Sequence, residues 1–188
     1  MKPLFKYPQW LVVSVAVAVL AIASGTTNAA SAKKIDREAD AALASLYEST
    51  PVAKKLASQA EAILVFPSIV KAGLLVGGQY GEGVMRQNGK SSGYFRSSAV
   101  SYGLQAGAQS FGYVMFLMTP DALEYLKSSD GWEIGVGPTV VVVDEGIAKS
   151  LTTSTAKDDI YAFIFGQKGL MAGLGLQGSR IKKIDVDD

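Results

Sequence analysis

Apolar residues in this chain recur first at a helical period and then in short unbroken runs. Residues 33 to 49 read KKIDREADAALASLYES, with Ile35, Ala39, Leu43, Leu46 and Tyr47 at i, i+4, i+8, i+11 and i+12. That spacing predicts one stripe of an amphipathic helix. Thr50 before Pro51 predicts a capped second helix with proline at its first position. Val52, Leu56, Ala60 and Ile63 then fall on one side, with Ala53 and Ala57 beside them. From Ala62 the pattern changes. A run from Ile63 to Phe66 meets Pro67, and a second from Gly73 to Val76 leads into Gly77, Gly78, Gly81 and Gly83. Short apolar runs bounded by Pro and Gly predict buried strands. The glycines supply bends or close backbone approach within a sheet.

Asn88-Gly89 is a strong hairpin signal, because both residues tolerate the positive φ of a tight turn. The return strand is expected over about Tyr94 to Val100. Tyr102 to Ser110 alternates around Gly103 and Gly107, and Phe111 to Met118 reads as a core strand with Met115 and Met118 as filler. Thr119-Pro120-Asp121 starts a third helix, with Leu123 and Leu126 inward. Strands are expected at Glu133–Val136, Thr139–Val143, Ile160–Phe165 and the glycine-rich Gly169–Leu176. Asp144-Glu145-Gly146 breaks the pattern, and Ala148 to Asp159 reads as a polar loop. The fold class expected is α+β, a curved mainly antiparallel β-sheet or barrel with flanking helices near residues 36–48, 51–61 and 120–127.

Three strings go beyond pattern. The first comprises Phe66-Pro67-Ser68, Lys71-Ala72-Gly73, Gly77-Gly78 and Tyr80-Gly81-Glu82-Gly83-Val84. The second runs from Tyr102-Gly103-Leu104-Gln105-Ala106 through Gly107-Ala108-Gln109-Ser110. The third comprises Lys168-Gly169-Leu170, Ala172-Gly173 and Leu176-Gln177-Gly178-Ser179. In this order they resemble the SYLF domain family, over about Ala39 to Ile184. The resemblance implies a lipid-binding function; some eukaryotic members are described as actin-binding.

The first residues have a different character. Lys2 and Lys6 precede an apolar stretch, Leu11 to Ala23, and Thr27-Asn28-Ala29 or Ala30-Ser31-Ala32 offers a small-residue cleavage site. This predicts a secretory signal peptide over residues 1–32 and a single SYLF-like domain over 33–188. An uncleaved anchor is the alternative, although the run is short for a membrane span. The expected location is exported, in the periplasm or cell envelope.

Charge and composition narrow the chemistry. The 188 residues carry 18 Lys and Arg against 17 Asp and Glu, with no Cys and no His. A near-neutral chain lacks the bulk positive charge of a nucleic-acid binder. Without Cys or His, the commonest nucleophile–base pairs and nearly all zinc sites are excluded. Gly78, Gly81 and Gly83 follow neither the dinucleotide nor the P-loop order. Ser68 and Lys71 have S-x-x-K spacing, but between strand-like runs instead of on the helix that chemistry needs. Asp144, Glu145, Asp158 and Asp159 lack calcium-loop spacing and read as solvated loop charge. The expectation is therefore no catalytic residue, no metal and no cofactor.

Membrane contact needs only local lysines or arginines beside an apolar edge. The candidate lipid-binding residues are Lys33, Lys34, Lys54, Lys55, Lys71, Arg86 and Lys90. Lys33 and Lys34 sit at the helix end where the dipole disfavours cations, so helix stability does not account for them. Solvated surface charge is the alternative reading for these residues, and a snorkelling strand-end lysine is the alternative for Lys71. The expected partner is an anionic phospholipid or membrane surface. A structural or protein-interaction role in the envelope is the alternative.

Overall fold

The computed structural model describes residues 31–152, 155–169, 176 and 178–187. Helix α1 spans Ala32–Ser49 and α2 spans Pro51–Ala57. Strands β1, Ala62–Gln87, and β2, Lys90–Leu117, follow as one very long hairpin. Then come α3 (Pro120–Ser128), β3 (Trp132–Glu133), β4 (Val140–Val143), α4 (Glu145–Ser150), β5 (Ile160–Gly169) and β6 (Arg180–Ile184). The class is α+β. The sheet is a curled half-barrel, mostly antiparallel, so the closed-barrel alternative is corrected.

Strand β2 is the spine. It pairs antiparallel with β1 from Ala62↔Leu117 to Gln87↔Lys90. Its other edge carries β5 at one end and β6 at the other. From Gln109 to Ser98 on β2, and from Gly169 to Arg180 on the partner side, each chain advances by eleven residues. Thus β5 and β6 both lie on one edge of β2. Strand β4 joins β5 in parallel, and β3 joins β6.

The predicted separate strands are bent continuations of β1 and β2. Register shifts at Phe66/Ile69 and Leu74/Val76 absorb the curvature without ending the ladder. Between Gly73 and Gly77 the chain doubles back so tightly that a Cβ on Gly73 would be driven into the Gly77 backbone. Leu75, at this crest, has φ +67°. That left-handed conformation costs a non-glycine residue about 1–2 kcal/mol. Gly83 serves the other end of the curl, where a Cβ would collide with the Val65 carbonyl oxygen and the Phe66 ring.

Two apolar clusters result. The inner one holds Leu64, Phe66, Ile69, Phe95, Phe111, Tyr113 and Met115, completed by Leu123, Leu126 and Trp132. The Phe66 and Tyr113 rings stack 4.7 Å apart. The outer one places Ile35, Ala39 and Leu46 of α1 and Leu56 of α2 on Val65, Val84, Val114, Phe116 and Phe163. The α1 stripe is therefore the buried face. Tyr161, Phe163 and Phe165 share the outer face of β5, at the alternation expected.

Several boundaries differ from the sequence expectation. The second helix ends at Ala57 and not near 61. Thr50 makes no side-chain cap bond there, and proline alone starts the helix. The strand expected at 133–136 is assigned only over Trp132–Glu133; Ile134 still exchanges backbone bonds with Gly178 and Ser179, and beyond it the chain turns, with the Val136 N–H on the Glu133 carbonyl and the Trp132 indole N–H on the Val136 carbonyl at 2.8 Å. Asp144 opens α4 instead of a break: its carboxylate accepts the Ile147 N–H at 2.8 Å. The expected signal peptide, apart from Ser31 and Ala32, and most of the glycine-rich 170–176 segment lie outside the described residues.

Candidate functional site

The seven candidate cations fall in three places. Lys33 and Lys34 are exposed at the start of α1, and Lys34 makes a loose i,i+4 pair with Glu38 at 3.9 Å. The hairpin turn lies beside them. Arg86 reaches from it to Asp36 at 3.4 Å and Asp40 at 2.7 Å, and Ser91 and Tyr94 also donate to Asp36. Only 13% of the Arg86 side chain is exposed. Its charge is committed to fastening α1 to the hairpin. Lys90, next to the turn, is exposed. Lys54 and Lys55 are exposed in the last turn of α2, where they face the helix carbonyl end.

Lys71 stands apart. It is half-buried in β1, opposite Gln109, close to the crest. Around it Val70 is 55% exposed, Leu75 59%, Val76 55% and Val100 67%. Gly78 pairs with Val100 and Val76 with Tyr102, so Val76 and Val100 are diagonal neighbours on one face. Lys168 is also exposed there, paired with Ser110, which in turn faces Val70. This corrects the expectation that the run through Leu75 and Val76 is a buried strand. The tight reversal at Gly73–Gly77 turns those side chains outward. Their run of apolar residues beside glycines was the only sequence signal, and it reads equally well as core.

The other candidate chemistry is absorbed by the fold. Ser68 and Lys71 both lie on β1, where no helical turn brings them together. Asp158 accepts the Tyr161 hydroxyl at 2.9 Å. Asp159 accepts the Thr139 N–H and hydroxyl, both at 2.9 Å, and the Thr119 hydroxyl at 3.3 Å. The Thr139 backbone N–H, then its hydroxyl, hold the Asp159 carboxyl below the usual carboxylate range. Among the described residues no group of three or more acidic side chains converges on a metal position. Beneath the crest, Gln79 donates to Ser179 at 2.8 Å in a buried bond that crosses the sheet. Tyr113 is fully buried, and loss of solvent pushes its phenol above the ordinary range.

The half-barrel thus carries an apolar crest and exposed lysines. Residues 98–186 match the Ysc84 family model, described as Las17-binding protein actin regulator. Over that stretch, from within β2 through β6, the chain is similar to this family, consistent with a SYLF domain. The family is a binding module and not a known enzyme family. It is associated with lipid and actin binding. The match covers the second and third of the three strings, and the first, at 66–84, lies before it. No curated protein matches the chain.

Proposed function

We propose that this protein is a non-catalytic, exported module that binds anionic phospholipid headgroups at a membrane surface. The observation that carries the reading is the crest. Val70, Leu75, Val76 and Val100 are exposed apolar residues around the crest, with Lys168 in the same cross-strand row as Val70 and Lys71 next to Val70 on the alternate face. Apolar surface rimmed by polar groups marks protein or membrane contact. An apolar edge with adjacent cations suits an anionic bilayer. The strained backbone at Leu75 is in keeping with a working surface, since such strain clusters at functional sites. Lys33, Lys34, Lys54, Lys55 and Lys90 supply further exposed cations, whereas Arg86 acts through the fold.

The test is co-sedimentation with neutral and anionic vesicles across salt. Binding is expected to anionic vesicles only and to weaken as salt rises. Lys71→Ala removes one cation worth about 1 kcal/mol, roughly a fivefold loss of partitioning. Leu75→Asp is expected to abolish binding. Absence of binding to anionic vesicles at low salt, or equal binding to neutral ones, defeats the reading. A protein partner is the second reading, favoured by the family description, which names a protein-binding actin regulator. Salt-insensitive association of the same crest with a protein, lost in Leu75→Asp, would select it.

A further inference from the structure

The inner face of the half-barrel changes character toward the crest. Ile69 and Phe111 form its last apolar row. One row further, on the same face by strand alternation, Lys71 stands opposite Gln109. The second arm of β1 closes over this row. A Cβ on Gly81 would strike Ile69, and one on Gly73 would strike Gly77, so Gln79 is brought level with Lys71 across the bend. Gln79 is buried and already donates to Ser179.

This face carries open donors. Gln109 is only 9% exposed, and its side-chain amide nitrogen is buried without a partner. Deeper on the same face, the wholly buried hydroxyls of Ser97 and Tyr113 also close no hydrogen bond. Nearly all buried polar groups in native folds have a partner, so a cluster without one points to a bound ion or molecule. Lys71 is half-buried and has no ion pair among the described residues. Glu82, the only carboxylate in β1, β2, β5 and β6, is turned to the outer face with Val84 and lies 3.6 Å from Arg96. The inner row therefore offers a cation and a buried amide donor with no anion of its own.

We propose that this row is a site for one phosphate-type oxyanion, held by the Lys71 ammonium and the Gln109 amide N–H inside the mouth of the half-barrel. Such an oxyanion takes charge-assisted bonds from both groups. A neutral ligand would leave the half-buried ammonium without a counter-charge. Free phosphate and the phosphate of a lipid headgroup share this chemistry. The headgroup source deepens the lipid reading and rests on it: the exposed side chains of Leu75 and Val76 then meet the bilayer while the phosphate reaches the inner face.

The full chain is titrated calorimetrically with inorganic phosphate and, separately, with dihexanoyl phosphatidic acid below its micelle concentration. Saturable one-to-one binding is expected. Binding of the lipid, with or without the free ion, names the headgroup as ligand; binding of phosphate alone names the free ion. Gln109→Leu is expected to weaken binding about tenfold, as loss of a charge-assisted bond does. Its denaturant midpoint should equal or exceed the parent's, because an apolar side chain of similar shape replaces a donor that had no partner. Lys71→Ala is expected to weaken binding about as much, while Lys71→Arg retains it. No saturable binding of either probe, or parental affinity in Gln109→Leu or Lys71→Ala, overturns the site. So does a Gln109→Leu chain that is less stable or fails to fold, since its amide then served the fold. The same samples are tested on anionic vesicles. Probe binding without vesicle binding defeats the surface reading and leaves the inner site standing; vesicle binding with neither probe bound does the reverse.

Discussion

Single side chains tie distant elements together more than they line a site. Asp159 joins the starts of β4 and β5 to the α3 cap through Thr139 and Thr119. Its folded pKa is depressed, so its stabilisation is present above the unfolded carboxylate pKa and is lost as pH falls through the folded value. Asp159→Asn should therefore be less stable than the parent at neutral pH, with the difference shrinking in acid. Urea melts at several pH values check this; a constant difference would sink it. Arg86→Ala leaves Asp36 and Asp40 without their cation. It should destabilise the fold by about 1–3 kcal/mol, scaled down from a fully buried pair because both carboxylates keep solvent. Denaturant midpoints would show it. At this scale the sequence was partly legible. Asn88 and Gly89 adopt φ +52° and +74°, as the dipeptide implies, and Thr119 caps its helix. The partners of Arg86 were not legible, because Asp36 and Asp40 meet it only when α1 folds back on the hairpin.

At the scale of elements, helical periodicity named the buried face of α1, and apolar runs marked strands without marking where one ended. The α1 stripe named its buried face, since one helix has one face against the sheet. The runs around Pro67 and Gly73 looked like separate strands, because Pro and Gly interrupt a pattern whether they end a strand or bend it. Helix α4 was hidden by Asp144-Glu145-Gly146, a string that suits a turn and a helix start alike. The curl depends on places where backbones nearly touch. Gly83→Val would force a side chain into the Val65 carbonyl, which belongs to the ladder and cannot swing aside. We expect a loss of about 1–3 kcal/mol or more, from overpacking, read by thermal melting. Gly89→Ala, with open space around its Cβ, should suffer only from its positive φ.

For the whole molecule, the α+β class and the curved antiparallel sheet followed from many short apolar runs, a hairpin signal and abundant glycine. The half-barrel did not, since closure depends on which edges meet. The candidate cations were legible as residues but not as a surface. Only Lys71 among them lies beside the crest, and the other exposed lysines flank α1, α2 and the hairpin turn. The long hairpin also governs how the chain reaches this state. Pairing Ala62 with Leu117 closes a long loop, an entropic cost met most cheaply by zipping outward from Asn88-Gly89. Strand β2 must be laid down before β5, β6 and, through β5, β4 have an edge to join. Folding should therefore be slow for the chain's size and nucleated at the turn. Gly89→Ala should slow refolding while leaving the unfolding rate almost unchanged, as stopped-flow chevrons would report. An effect confined to the unfolding limb would mean that the turn closes last and the sheet assembles from its far end.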